Sequence, residues 1–181
     1  MIDEDEAVVL VDAQGRDCGT APKLKAHVDG LKHRAISVLI GNEHGELLLQ
    51  RRFRGKYHSG GLWTNACCSH PRPGEAPAAA AVRRLRDEMG FTTVLSPLFV
   101  VEYRAQVGAL IEDEYVHVFG GAYDGAVNPD AAEVEDYKWI SVVDMEADMA
   151  SNPDRYTAWF LQYMRVRRDD IAAFAESVRR H

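Results

Sequence analysis

The chain has few cysteines and no long hydrophobic segment. It contains three cysteines among 181 residues, and two of them are adjacent. This number cannot form the disulfide framework of a small secreted domain, so we expect reduced thiols. No apolar run approaches the roughly 20 residues that a membrane-spanning helix needs, and the acidic residues 1–6 lack the apolar core of a signal peptide. These absences predict a soluble cytoplasmic protein without a membrane partner.

The chain also lacks a surplus of basic residues. Its 21 Lys and Arg residues against 28 Asp and Glu residues give a net charge of −7. A general nucleic-acid surface is normally basic, so we expect no nucleic-acid partner. Basic residues nevertheless concentrate in the first third of the chain, namely Lys23, Lys25, Lys32, Arg34, Arg51, Arg52, Arg54 and Lys56. A local basic pocket in an acidic protein favours a small anionic ligand.

Internal repeats, linkers and low-complexity tracts are absent, which predicts a single domain over residues 1–181. Apolar patterning and turn residues predict strands at 7–12, 33–40, 46–52, 62–68, 98–107, 113–121 and 134–140. The same signals predict helices at 20–28, 77–89, 142–150, 156–167 and 171–180. This order predicts an α+β fold with a helical C-terminal part.

A thiol and an imidazole lie two residues apart in segment 65–71, at Cys68 and His70. Residues two apart on a strand project to the same face, so Cys67 is expected to face the core instead. A thiol is a poor group for hydrolysing a phosphate, but it can transfer a proton to or from carbon. The pair therefore favours isomerisation over hydrolysis.

Three imidazoles and two carboxylates are candidate metal ligands, namely His27, His33, His70, Glu112 and Glu114. Glu112 and Glu114 alternate onto one strand face. Such a set suits Mn²⁺ or Zn²⁺ better than Ca²⁺, which prefers oxygen ligands. Spacing alone leaves open that these histidines are surface or hydrogen-bonded core residues. We expect His44, His58 and His181 to lie on the surface.

The predicted helix at 77–89 resembles a degenerate Nudix box. Matching positions are Glu75, Arg83, Leu85, Glu88, Gly90 and Phe91, whereas Ser69, Arg84 and Asp87 replace a Gly and two Glu residues. Nudix hydrolases use clustered carboxylates on this helix to hold several Mg²⁺ ions. Arg84 predicts fewer metals and one more phosphate contact. Arg84 and Glu88 share a helix face, so they either clamp a magnesium diphosphate or form a simple salt bridge.

Over nearly its whole length the chain resembles the type 1 isopentenyl-diphosphate Δ-isomerases of the Nudix superfamily. The resemblance rests on residues 23–27, His33, Arg51, Arg52, Lys56, 63–71, 83–90, 103–105, 112–114 and Trp159. It implies a Nudix-like mixed β-sheet core flanked by helices. It also implies interconversion of isopentenyl and dimethylallyl diphosphate, by protonation and deprotonation through a tertiary carbocation.

The resemblance further implies the roles of single residues. Cys68 and Glu114 would be the catalytic acid and base, with Tyr103 supporting Glu114 and Trp159 facing the reacting carbons. One divalent metal, Mn²⁺, Zn²⁺ or Mg²⁺, would be bound by His27, His33, His70, Glu112 and Glu114. Glu88 would hold a Mg²⁺ that is bound to the diphosphate. The substrate would be contacted by Lys23, Arg52, Lys56, Ser69 and Arg84.

Two other functions remain as alternatives. A Nudix hydrolase acting on a nucleoside diphosphate derivative would use the same helix, but it needs carboxylates where Arg84 and Asp87 stand. A non-catalytic metal or nucleotide sensor would not need a thiol and a carboxylate beside a tryptophan. For Trp159 itself, the alternative is an ordinary core residue. With a small diphosphate as its only predicted partner, the chain is expected to act as a monomer.

Overall fold

The structure, a computed structural model, describes residues 6–56 and 58–179. Its strands are β1 Ala7–Val11, β2 Asp17–Pro22, β3 His33–Gly41, β4 Glu46–Arg52, β5 Trp63–Asn65, β6 Cys67–Ser69, β7 Ser96–Val107, β8 Leu110–Ala122 and β9 Val134–Ser141. Its helices are α1 Lys23–Asp29, α2 Pro77–Met89, α3 Val142–Ser151, α4 Ala158–Val166 and α5 Arg168–Val178. A short 3₁₀ turn, Pro153–Arg155, precedes α4. The predicted α+β fold is confirmed.

Strand β3 is the centre of the mixed sheet. It runs parallel to β8 and antiparallel to β1 and β6. Strands β3 and β4 are joined by a short turn, but they pair only at Gly41 and Leu47 and then diverge. The predicted strand 62–68 is divided at Ala66, so that β5 pairs with β4 and β6 pairs with β3. This division places Cys68 beside the central strand.

The sheet is covered on both faces. Side chains of β3 alternate between two cores, because Leu39 packs toward the C-terminal helices and Ile40 toward α2. Helix α2 has proline at its first position and ends at Gly90, whose φ of 77° lies in the left-handed region. The helix buries Leu85 and Met89 against the sheet. Both faces of the site strands are thereby held rigid.

The structure differs from the predicted elements mainly near the N-terminus. Residues 20–22 belong to β2, an edge strand with Gly19 and mostly exposed side chains, so its sequence carries little strand signal. The C-terminal helices begin at Ala158 and Arg168 rather than at 156 and 171. Positions 180 and 181 lie outside the described residues. Within the described part of the chain, every helix is too short or too polar to cross a membrane.

Candidate active site

A cavity of about 510 Å³ opens between the sheet, helix α2 and the C-terminal helices. This volume is within the range of about 300–1,000 Å³ that is typical of small-molecule sites. Its lining includes Lys23, Arg52, Lys56, His58, Cys68, Ser69, His70, Arg84, Glu112, Glu114, Glu133, Trp159 and Tyr163. The predicted acid–base pair, Cys68 and Glu114, therefore shares one cavity.

Four predicted metal ligands converge beside this cavity: His70 and Glu114 line it, whereas His27 and His33 are fully buried behind them. His27, His33, His70 and Glu114 each offer one ligand atom, and these atoms lie within 4.8 Å of one another. His70 Nε2 is 2.9 Å from Glu114 Oε1 and 3.2 Å from His33 Nε2. His33 Nε2 is 3.6 Å from the same Glu114 oxygen. We call these four residues the imidazole–carboxylate quartet.

The fold brings the quartet together through local register and backbone hydrogen bonds. His33 and Glu114 are direct partners on the parallel strands β3 and β8. His33 Nδ1 lies 2.8 Å from the carbonyl oxygen of Leu31, and His27 Nδ1 lies 2.9 Å from that of Lys23. When Nδ1–H donates to a carbonyl, Nε2 is left as the ligand atom. The histidines are thus turned inward by their own backbone surroundings.

The chemistry of the quartet fits a divalent metal ion. Metal–ligand bonds of about 2.0–2.2 Å place neighbouring ligand atoms about 3.0–3.5 Å apart, close to the separations in the quartet. Burial lowers the pKa of His27 to about 3 and that of His70 to about 4, so both imidazoles are neutral near pH 7. Burial opposes ionisation of Glu114, but the neighbouring imidazoles of His33 and His70 hold its pKa well below the usual range. Neutral imidazoles and an ionised carboxylate are what a metal needs.

Glu112 lies beside the quartet rather than within it. Its Oε1 is 3.4 Å from His58 Nε2, and its Oε2 is buried without a hydrogen-bond partner among the described residues. Burial and the neighbouring charge of Glu114 raise the pKa of Glu112 to about 8. The buried oxygen leaves Glu112 able to accept a further ligand.

The prediction that His58 is a surface residue is wrong. Its side chain is 11% exposed, and its ring centroid lies 6.0 Å from that of Trp159 and 5.9 Å from that of His27. The loop that carries His58 folds back over the cavity, and Arg52 Nη2 donates to the His58 carbonyl at 3.4 Å. Loop conformation of this kind leaves no periodic signal in the sequence.

Cys68 is a half-buried thiol with two polar neighbours. Its Sγ donates to Asn65 Oδ1 at 3.0 Å and lies 3.2 Å from Ser37 Oγ. Burial raises the pKa of Cys68 to about 11, so the thiol is protonated at neutral pH. Cys67 faces the opposite core, as expected, and is fully buried there. No pattern in the sequence predicts that Ser37 and Asn65 are neighbours of the thiol.

Trp159 and Tyr103 both reach this region. Trp159 lines the cavity and also belongs to the core, and its ring centroid lies 5.1 Å from Arg52 Cζ. Tyr103 is the direct partner of Glu114 across strands β7 and β8. Burial, followed by the charges of Glu112 and Glu114, raises the pKa of Tyr103 well above its usual value. The phenol is therefore neutral beside two carboxylates.

The cavity also carries the predicted diphosphate contacts, and two of these cations, Arg84 and Lys56, are paired with carboxylates. Arg84 Nη2 donates to Glu88 Oε1 at 2.7 Å, so the salt bridge expected as one alternative does form. Gln50 Nε2 donates to Glu88 Oε2 at 2.9 Å. Lys56 pairs with Glu133, whose Oε1 also lies 3.7 Å from Arg84 Nη2. We call this group the paired-charge end; Glu133 has no place in the sequence-based predictions.

Lys23 is paired in the same way, since its Nζ lies 2.7 Å from Glu6 Oε2. Of the other predicted substrate contacts, Arg52 and Ser69 are buried residues of the cavity wall. Glu88 itself is only 2% exposed and lies beneath Arg84. All five predicted substrate contacts therefore line the cavity.

The chain is similar to proteins of a known family over most of its length. The NUDIX domain profile matches residues 31–160. Isopentenyl-diphosphate Delta-isomerase of Burkholderia multivorans is 48% identical over 157 residues, which are 86% of this chain and 89% of that protein. The enzyme of that name from Serratia proteamaculans is 43% identical over 162 residues, 89% of this chain and 90% of that protein.

Solved structures with low sequence identity share the fold. A Deinococcus radiodurans protein superposes with a TM-score of 0.70 at 14% sequence identity. The match covers 97% of this chain and 100% of that protein's chain. The MutT protein from Methanosarcina mazei has a TM-score of 0.61 at 22% identity, covering 82% of this chain and 96% of its own. Together, the profile match and the relatives of similar length show that the chain belongs to the Nudix family and, within it, to the isopentenyl-diphosphate Delta-isomerases.

Proposed function

We propose that this chain interconverts isopentenyl diphosphate and dimethylallyl diphosphate. The observation that carries this proposal is the cavity shared by a protonated thiol, Cys68, and an ionised carboxylate, Glu114. Relatives of matching length bear the name of this activity. The cations at the paired-charge end suit a diphosphate.

The reaction requires one acid and one base on a small hydrocarbon. A proton is added at C4 and another is removed from C2, while positive charge develops at the tertiary carbon C3. Because an unactivated alkene is a very weak base, the acid must be close, aligned and shielded from water. The resting protonation states of Cys68 and Glu114 supply one group of each kind. Their roles exchange when the reaction runs in reverse.

Trp159 is proposed to face the developing charge at C3. The face of an indole attracts a desolvated cation by about 0.5–2 kcal/mol or more. Its contact with Arg52 supports this role, because that ring already lies close to a cation. Tyr103, neutral beside Glu112 and Glu114, is proposed to support the catalytic carboxylate.

A divalent metal, Mn²⁺, Zn²⁺ or Mg²⁺, is proposed to bind His27, His33, His70, Glu112 and Glu114, where it would orient Glu114 and balance its charge. Glu88 is proposed to hold a Mg²⁺ that is bound to the diphosphate. Lys23, Arg52, Lys56, Ser69 and Arg84 would contact the diphosphate oxygens. Anchoring the charged tail leaves only the five-carbon chain to be positioned.

Hydrolysis of a nucleotide is less well supported by the same cavity. A hydrolase would need several carboxylates to collect its metals, but Arg84 puts a cation at one of these positions. Glu75 is held by Arg83 through two hydrogen bonds of 2.7 Å, and Asp87 is exposed. We further propose that the chain acts as a single-domain cytoplasmic monomer.

The function is tested by incubating the protein with isopentenyl diphosphate and Mg²⁺ in D₂O and following deuterium in the product methyl group by NMR. Wild-type protein should form deuterated dimethylallyl diphosphate. The Cys68→Ser variant should keep metal and diphosphate binding but lose turnover. Release of phosphate from nucleotides without conversion of isopentenyl diphosphate would favour the hydrolase instead.

A further inference from the structure

A buried chain of hydrogen bonds joins Cys68 to Trp159 through two residues of strand β5. Trp159 Nε1 donates to Thr64 Oγ1 at 2.8 Å, and Thr64 Oγ1 donates to Asn65 Oδ1 at 3.0 Å. Cys68 Sγ donates to the same Asn65 oxygen at 3.0 Å. Thr64 and Asn65 are at most 1% exposed. Three bonds thus connect the thiol and the indole inside the protein.

The direction of each bond in this chain follows from the chemistry of its members. Asn65 Nδ2 donates both hydrogens to backbone carbonyls, those of Val38 and Cys67, each at 2.9 Å. The amide cannot turn over without losing both bonds, so Oδ1 must face Thr64 and Cys68. An indole N–H can only donate. The Thr64 hydroxyl therefore accepts from Trp159 and donates to Asn65.

The other side of the thiol is fixed in the same manner. Because the single S–H hydrogen of Cys68 is used by Asn65, the Ser37 hydroxyl donates to the sulfur across 3.2 Å. Tyr163, whose hydroxyl lies 3.0 Å from Ser37 Oγ, then donates to Ser37. The sulfur is held from two directions.

We propose that Thr64 is a positioning residue, which fixes the Trp159 indole and the Cys68 thiol relative to each other across the reacting hydrocarbon. This inference rests on the proposed isomerase function. Thr64 does not line the cavity, so it acts through its two neighbours. A displacement of about 1 Å in a reacting group can cost about 10²-fold in rate. The four hydrogen-bonded residues are not among the proposed contacts of the diphosphate, so we expect the rate to change more than the binding of the charged tail.

The experiment uses Thr64→Val, which has nearly the same shape but neither accepts from Trp159 nor donates to Asn65. Thr157→Val is the matched control, because Thr157 Oγ1 also donates to Thr64, at 3.1 Å, but lies outside the chain from Trp159 to Cys68. Thr64→Ser restores the hydroxyl and should recover the rate. Each variant is measured for kcat, for KM with isopentenyl diphosphate, and for the ¹H–¹⁵N NMR signal of the Trp159 indole, assigned with Trp159→Phe.

We expect Thr64→Val to lower kcat about 10- to 100-fold, to change KM by less than about twofold, and to shift the indole signal and speed its hydrogen exchange. Thr157→Val should keep both kcat and the indole signal. An unchanged kcat in Thr64→Val, or an equal loss in Thr157→Val, would overturn the inference while leaving the isomerase function intact. A wild-type protein without isomerase activity would instead refute the proposed function, and this inference with it.

Discussion

The two ends of the cavity arrange charge in opposite ways. At the imidazole–carboxylate quartet, three histidines and one carboxylate bring their ligand atoms within 4.8 Å of one another. At the paired-charge end, two cations expected to bind phosphate already hold a carboxylate, Arg84 with Glu88 and Lys56 with Glu133. The first end is poised for a cation, whereas the second must exchange partners when an anion binds.

This contrast has a physical cause. The ligand atoms of the quartet lie 2.9–3.6 Å apart, where two lone pairs either repel each other or share one proton. The quartet keeps this geometry because the surrounding strands and backbone carbonyls hold the side chains in place. Buried arginine and lysine side chains cannot be left uncompensated in the same way. Ion pairs therefore stabilise the paired-charge end in the absence of a ligand, at a cost in ligand affinity.

The largest effect is expected at the quartet, from Glu114→Gln. Loss of the carboxylate removes the proposed base and one metal ligand together. We expect turnover to fall by about 10³-fold or more and metal affinity to fall about 10- to 100-fold, measured by the D₂O assay and by metal titration. Asp113→Asn is the matched control. Asp113 is adjacent to Glu114 on β8, but its carboxylate pairs with Arg104 at 2.5 Å instead of joining the quartet. Normal turnover with full metal in Glu114→Gln would show that one residue does not serve both roles.

Acid should selectively destabilise the quartet end in metal-stripped protein. Burial lowers the pKa of His27 and His58 to about 3 and of His70 to about 4, below the unfolded value of 6.5. As the pH falls, these histidines take up protons in the unfolded chain before they do so in the folded protein. The free energy of unfolding therefore decreases as the pH falls from about 6.5 toward 4. Glu112, with a pKa raised to about 8, acts in the opposite direction and offsets part of this loss.

The net change from pH 6.5 to 5 is expected to be a loss of about 2–4 kcal/mol in the free energy of unfolding. Urea unfolding with a chelator present measures it. His70→Gln removes one titrating imidazole. The slope of its unfolding free energy against pH should therefore correspond to about one proton fewer than in the wild type. An identical slope in the variant would mean that His70 is already protonated in the folded state.

The sequence predicted the members of the quartet better than it predicted their surroundings. Alternation on strands placed Glu112 with Glu114 and Cys68 with His70, because a period of two needs only local information. The pairing of His33 with Glu114 joins strands that are far apart in sequence, and no local pattern encodes it. Only the family resemblance linked these residues in advance.

The residues that sequence analysis missed share a different property. His58 and Glu133 lie in or beside loops, where the conformation is set by tertiary contacts rather than by periodicity. Thr64 and Asn65 are polar residues in a short buried strand, and their role depends on which side chains meet them from α4 and β6. The division of the predicted strand at Ala66 accompanies both contacts, that of Thr64 with Trp159 and that of Asn65 with Cys68. The apolar pattern alone did not predict this division.

At the paired-charge end, Arg84→Glu should weaken substrate binding more than chemistry. The change removes the proposed phosphate contact and adds a carboxylate beside Glu88 and Glu133. A charge-assisted hydrogen bond contributes about 1.5–3 kcal/mol, so we expect KM to rise about 10- to 100-fold with little change in kcat. Arg86→Glu is the control for charge on the same helix, since Arg86 is 65% exposed and contacts Asp87. An unchanged KM would assign Arg84 to a structural salt bridge alone.

The smallest effect, and the one that most directly tests the contrast between the ends, is expected from Glu133→Gln. If Glu133 only neutralises Lys56 and Arg84 until a ligand arrives, removing its charge should free Lys56 and leave Arg84 paired with Glu88 alone. Partly exposed ion pairs contribute about 0.2–1 kcal/mol, so inorganic diphosphate should bind up to about fivefold more tightly, measured by calorimetry. Glu135→Gln, which breaks a 2.9 Å pair with Arg54 outside the cavity, should leave the affinity unchanged. Weaker binding of diphosphate by Glu133→Gln would mean that the Glu133 carboxylate supports ligand binding instead of competing with the ligand. Both ends of the cavity would then use carboxylates to gather cations around the ligand.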